Sequence, residues 1–113
     1  MLRRITVRAL RRLGYQVTEA GDGVEAQEIW QRRDGAFDLL LADMVLPNGL
    51  SGLKLSHRLR EQKAALKTII ASGYSAELAR IEDVTAAGLT YLPKPFDLET
   101  LARKVRACLD GRT

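Results

Sequence analysis

Apolar and polar residues change their period along this chain, and the changes divide it into nine segments. In the first, Leu2, Ile5, Ala9, Leu10 and Leu13 recur at helical spacing until Gly14, which predicts an amphipathic helix with its arginines on the solvated side. The stretch "YQVTEA" (15–20) alternates and carries a β-branched centre, the pattern of a short strand. "GDG" turns the chain, and Asp22 is placed to cap a helix over 23–33, in which Val24, Ala26, Ile29 and Trp30 are the apolar positions. Trp30 reads as a core residue. "DGAFDLLLAD" predicts a strand over 37–42, whose apolar run Leu39–Ala42 is expected of a strand covered on both faces. A helix follows in "LSGLKLSHRLREQ", a strand over 67–72, a helix over 75–87, a strand over 89–92 and a last helix in "FDLETLARKVRACLD".

Strands alternating with helices of ten or more residues predict an α/β fold: a parallel sheet, right-handed crossovers and helices on both faces. The 113 residues are the length of one domain, 1–113, large enough for a core of its own. An apolar fraction of 46% and a charged fraction of 28% are those of a globular chain and argue against disorder. No apolar run approaches the roughly 18 residues of a membrane span, and charges interrupt "MLRRITVRALRR" where a signal peptide needs an apolar stretch. A cytoplasmic, membrane-free protein is expected. One cysteine, Cys108, excludes an internal disulfide and a cysteine-rich metal site, and its thiol is expected in helix packing. The net charge of +4 gathers in Arg3, Arg4, Arg8, Arg11 and Arg12, but no helix-turn-helix, zinc or aromatic-basic pattern accompanies them, so nucleic-acid binding is not expected.

In parallel sheets the chemistry collects at the carboxyl ends of the strands. Asp43 follows the strand 37–42, Ser72 ends 67–72, and Lys94 follows 89–92. Any one of them could merely cap a turn or charge a loop; three together on one rim favour a shared role. A carboxylate beside an ammonium and a hydroxyl can attack phosphorus and form an aspartyl phosphate, the other two stabilising the added oxygens. Competing chemistries lack their residues. The one histidine, His57, is predicted mid-helix and away from that rim, on the surface. "GDG" lacks the spacing of a dinucleotide loop, and there is no Walker-type loop. The phosphatase pattern with a second acid two residues past the nucleophile is absent, because Val45 stands there.

The segments "GYQVTEAGDGVEA", "FDLLLADMVLPNGLSG", "IIASGYS" and "YLPKPFDLETL", in this order and spacing, closely resemble the receiver domains of two-component response regulators, above all those of hybrid sensor kinases. The resemblance implies a flavodoxin-like, doubly wound (βα)5 fold and a non-enzymatic role as phosphoacceptor in a phosphorelay. It implies that Asp43 is the phosphoacceptor, Ser72 the switch hydroxyl, Lys94 the phosphate-binding lysine and Tyr91 the aromatic switch residue. It further implies Mg²⁺ held by Asp43 and the backbone carbonyl of Val45, a cis Lys94–Pro95 bond, which X-Pro chemistry permits, and a sensor histidine kinase or phosphotransfer protein as partner. Phosphorylation would then bias a protein-interaction face made by 75–87, 89–92 and the last helix. Val45, being apolar, offers little help to an attacking water, so a long-lived phosphorylated form is expected.

The chain departs from the family at one place. A receiver opens with a strand ending in an acidic pair that holds Mg²⁺, and this sequence opens inside the helix that follows. The expectations are a missing first strand between 15–20 and 37–42, two unpaired edges, and poor autophosphorylation. The helix lacks an N-cap before Met1, as in a chain cut from a longer one or read from too late a start; a degenerate receiver is the third account. Open edges also invite a homodimer, through strand exchange or through the 75–109 face. The alternative function is a phosphorylation-independent interaction module on a receiver scaffold.

Overall fold

The computed structural model describes residues 2–46, 51–73 and 88–111, with side chains from residue 5 onward. The elements are α1 (Leu2–Arg12), α2 (Gly23–Arg32), β1 (Leu39–Asp43), α3 (Gly52–Gln62), β2 (Lys67–Ser72), β3 (Thr90–Pro93) and α4 (Leu98–Leu109). Each falls within two residues of its expected bounds. The helix expected over 75–87 lies outside the described residues.

The strands form a parallel sheet in the order β1-β2-β3. Its centre, β2, is the most buried strand, and Ile69 and Ile70 are fully buried. Because consecutive side chains point to opposite faces, Ile69 and Ala71 join Leu10 of α1, Leu92 of β3, and Leu101, Val105 and Cys108 of α4 in one core. Ile70 packs on the other face with Ala42, Met44 and Leu89. Helices α2 and α3 close a further cluster through Trp30, Leu55, Leu59 and Leu66. Trp30 is core, as expected: its ring stacks on Phe37 at 5.9 Å, and its indole N–H donates to Gln62 Oε1 at 2.9 Å. Cys108 is buried, its Sγ 3.1 Å from Thr90 Oγ1. His57 is exposed on α3.

Local signals set the helix starts. Asp22, Ser51 and Asp97 cap α2, α3 and α4, accepting from the backbone N–H of Glu25, Lys54 and Thr100. At Asp97 the hydroxyl and the backbone N–H of Thr100 hold the carboxyl below its ordinary value. A depressed folded pKa means that the cap's contribution is complete above the unfolded value and lost as pH falls through the folded one. The melting-temperature difference between the wild type and Asp97→Ala is therefore expected to be present at neutral pH and to shrink only in acid, below the ordinary carboxylate range.

Three expectations are corrected. The segment 15–20 is not a strand: it runs irregularly between α1 and α2, and Tyr15 and Val17 pack against the core without joining the ladder. Its alternation fits a strand, but a strand needs a neighbour, and among the described residues no element pairs along it. The apolar strand before Asp43 is packed on both faces, Leu39 and Leu41 against one core and Leu40 against the other two, but less deeply than expected. Leu39, Leu40 and Leu41 are half-buried, because among the described residues β1 pairs with β2 alone. In α1, finally, Thr6, Val7 and Leu10 are buried while Ile5 and Leu13 are 54% and 58% exposed. Periodicity chose a stripe, but the contact with α4 is narrower and rotated from it. Arg8, Arg11 and Arg12 are exposed, as expected.

One buried polar pair ties α3 to the central strand: Ser56 Oγ donates to Thr68 Oγ1 at 3.2 Å, both residues being buried. Removing one partner leaves the other hydroxyl unsatisfied, at roughly 1–2 kcal/mol, whereas removing both restores much of the loss. Ser56→Ala and Thr68→Val are each expected to lower the urea midpoint, with the double variant less stable than neither single one. Strict additivity in that cycle would show the bond to be idle.

Candidate functional site

The parallel register brings the carboxyl ends of all three strands to one rim. Asp43 lies opposite Ala71, and Ser72 opposite Pro93. The ladder continues past the strands, with Met44 N–H donating to the Ala71 carbonyl and Lys94 N–H to the Ser72 carbonyl, both at 2.8 Å. These two bonds fix where the acid and the lysine leave the sheet. Lys94 Nζ then reaches Asp43 Oδ1 at 2.6 Å, a direct ion pair between side chains 31% and 51% exposed. The distance is that of a charge-assisted contact, and the exposure leaves the pair open to a solute.

Ser72, only 2% exposed, ends the neighbouring strand. Its carbonyl also accepts from the Tyr91 hydroxyl at 3.2 Å, and the Tyr91 carbonyl accepts from Lys104 Nζ of α4 at 3.1 Å. Tyr91 is half-buried in β3. Val45 lies two residues past the acid, 64% exposed, in an isolated antiparallel bridge to Ser51. The Lys94–Pro95 bond is cis. Of the residues singled out from sequence, Asp43 and Lys94 thus touch directly, while Tyr91 meets Ser72 at its backbone.

Two glycines that sequence reasoning passed over shape this rim. Gly52 opens α3 directly beneath the acid, and a Cβ there would collide with the Asp43 carbonyl; its N–H donates to the Met44 carbonyl at 2.9 Å. Gly73 lies against the lysine stem, where an added Cβ would come within 2.9 Å of Lys94 Cβ. The only sequence signal for either was a Ser-Gly pair, common in turns. Lys104, on the polar side of α4, gave no signal at all.

Mg²⁺ takes six oxygens in near-octahedral geometry, commonly from carboxylates and water. Among the described residues no three of the types His, Cys, Asp and Glu come together, and the carboxylate of Asp43 is already in contact with an ammonium. One carboxylate and the carbonyl of Val45, completed by water and phosphoryl oxygens, are of the donor type that this ion takes. Among the described residues, no helix is long and apolar enough to cross a membrane.

Comparison with known proteins adds sequence and fold likeness. The family model described as response regulator receiver domain matches residues 1–106. The chain is 38% identical to the sensor kinase CckA of Brucella abortus over 92% of its own length and 11% of that protein. It is 32% identical to the response regulator receiver protein CpdR of the same organism, over 96% of its own length and 88% of that protein. Against several other curated relatives the chain spans between 23% and 42% of their length. Among solved structures, a receiver domain protein from Clostridium thermocellum superposes with a TM-score of 0.86 at 22% identity, over 98% of this chain and 86% of that one.

Proposed function

The chain belongs to the response regulator receiver domain family, and from that premise we propose that it is the phosphoacceptor of a two-component phosphorelay, taking a phosphoryl group on Asp43. The observation that carries this reading is the Asp43–Lys94 pair at the open end of a parallel sheet, a nucleophile with its counter-charge in place. Receiver domains are signalling domains that interact with sensor kinases and phosphotransfer proteins, and they generally bind Mg²⁺ at the phosphorylation site.

The chemistry can be written with this chain's own groups. An Asp43 oxygen attacks phosphorus; a P–O bond forms, and the donor's bond to phosphorus breaks with its electron pair leaving on the donor. Lys94 faces the phosphoryl oxygens and offsets the charge that two approaching anions build up. Ser72 supplies the hydroxyl that the new group draws in. Tyr91, bonded to the Ser72 carbonyl, follows that movement, and Lys104 links the same strand to α4. A local charge change at Asp43 thereby biases the surface around β3 and α4, the kind of two-state element that phosphorylation acts on. The partner reading that surface is a kinase, a phosphotransfer protein or another receiver.

Intact mass spectrometry after incubation with an acyl phosphate tests the proposal. One added phosphoryl group per chain is expected, with slow loss in buffer, because exposed Val45 carries no base to activate water. No gain under any donor would overturn it.

A further inference from the structure

The hydrogen bonds around Tyr91 form a chain that crosses the sheet. We propose that Lys104 is a positioning residue: by holding the Tyr91 carbonyl from α4, it ties a displacement of Tyr91 to a displacement of that helix. The proposal deepens the reading of Asp43 as the phosphoacceptor and rests on it, since it names the group that carries a change at that site into α4.

Consecutive residues of β3 face opposite sides of the sheet. Leu92 lies in the core that contains Leu101 and Val105 of α4, whereas Tyr91 packs against the cluster of Ala42, Met44, Ile70 and Leu89. The apolar contact of α4 is thus on the side away from the Tyr91 ring. Lys104 makes the connection around the strand, its Nζ donating to the Tyr91 carbonyl at 3.1 Å. From the same residue, the Tyr91 hydroxyl donates to the Ser72 carbonyl at 3.2 Å, and that carbonyl also accepts from Lys94 N–H at 2.8 Å. Lys94 in turn is paired with Asp43. Direct contacts therefore run from the acid through Lys94, Ser72 and Tyr91 to α4.

Neighbouring cations of this helix are engaged differently. Arg103 donates to Thr100 Oγ1 at 3.3 Å and Arg106 pairs with Asp110 at 3.1 Å, in both cases within α4. Both arginines are exposed, and Lys104 is half-buried. Ordering a lysine side chain costs rotamer freedom, which a bond from a charged donor to a carbonyl offsets better than a neutral one. The ammonium is compact, with three donors on a flexible stem, so it follows the carbonyl through a small shift and draws α4 with it. A spatial path is not by itself coupling. What coupling requires is that both ends respond together, and this is measurable.

Amide ¹H–¹⁵N spectra of the full 113-residue chain are recorded before and after labelling with an acyl phosphate in MgCl₂, for the wild type, Lys104→Met and Lys104→Arg. Methionine keeps the apolar stem and removes the donor. Labelling rates are expected to agree within about twofold, because Lys104 touches no reacting atom. In Lys104→Met the label-induced shifts at Ala102, Arg103, Val105 and Arg106 are expected to fall at least about threefold, while those at Asp43 and Ser72 keep their size. Lys104→Arg, which retains a cationic donor, restores them. Shifts of wild-type size in α4 of labelled Lys104→Met overturn the proposal. A second arm needs no label: Tyr91→Phe, which removes the hydroxyl bonded to the Ser72 carbonyl, is expected to shift the same α4 amides in the wild-type background and to leave them in place alongside Lys104→Met. If no variant takes up label, the phosphoacceptor reading fails and this arm alone decides. Shifts in α4 that vanish with Lys104→Met then uphold the positioning role; shifts that persist, or that Tyr91→Phe never produces, overturn it.

Discussion

Asp43→Asn is expected to take up no phosphoryl group from a small donor or a kinase, while the fold survives almost unchanged. The amide keeps the size and shape of the carboxylate but lacks its negative charge and its nucleophilic oxygen, and it gives Lys94 only a neutral acceptor. The structural cost is small because the side chains of the pair are 51% and 31% exposed, and such ion pairs contribute at most about 1 kcal/mol. Chemistry and stability are thus separable at this residue. Complete loss of label with a melting temperature within a few degrees of the wild type is the expected pair of results. Label retained on Asp43→Asn would place the acceptor elsewhere. The same variant decides between the two functional classes: if partner regulation persists without label, the chain works as an interaction module on a receiver scaffold.

The second large effect is expected where no chemistry occurs. Gly52→Ala sets a Cβ against the carbonyl of Asp43, with Ala42 Cβ a further neighbour at 3.4 Å. Neither the strand end nor the helix start can relieve this contact by rotating a side chain, since the obstructing atom is backbone. The first turn of α3 must move away from β1, losing the bond from Gly52 N–H to the Met44 carbonyl and disturbing the loop that carries Val45. Overpacking of this kind costs roughly 3 kcal/mol, a large share of the stability of a small domain. Urea unfolding should show the midpoint falling sharply, and labelling at Asp43 should fall with it even at temperatures where the variant is folded. Gly21→Ala is the control: an added Cβ there meets only Glu25 Oε1 at 3.6 Å, an ordinary contact, and a change within about 0.5 kcal/mol is expected. Equal stability of the two variants would show that the chain passes Asp43 with more freedom than the structure gives it.

The positions that sequence reading placed well share one property: their signals are local. The apolar run Leu39–Ala42 marked β1, and Asp22 in the GDG turn marked the start of α2, which it caps as such a residue should. Where a position depended on a neighbour distant in the chain, the same methods erred. The segment 15–20 has the composition of a strand but no ladder, since pairing belongs to two segments and alternation to one. Ile5 and Leu13 sit on the apolar stripe of α1 and are exposed all the same, because the width of a buried face is set by what packs on it. Gly52 and Lys104 went unread because a close backbone approach and a lysine reaching back to the Tyr91 carbonyl leave no periodic trace.

What the sequence determined by itself was the alternation of strand and helix, and from it a parallel sheet whose carboxyl rim carries Asp43, Ser72 and Lys94, since period and handedness follow from residue-level sterics and burial. The tertiary structure alone decided that the acid and the lysine meet at 2.6 Å, that β1 pairs with β2 alone among the described residues, and that the helix beneath Asp43 can begin only with a residue lacking a side chain. Each of these depends on register and close packing between segments remote in sequence, and a one-residue slip in pairing, which composition would not register, would undo all three.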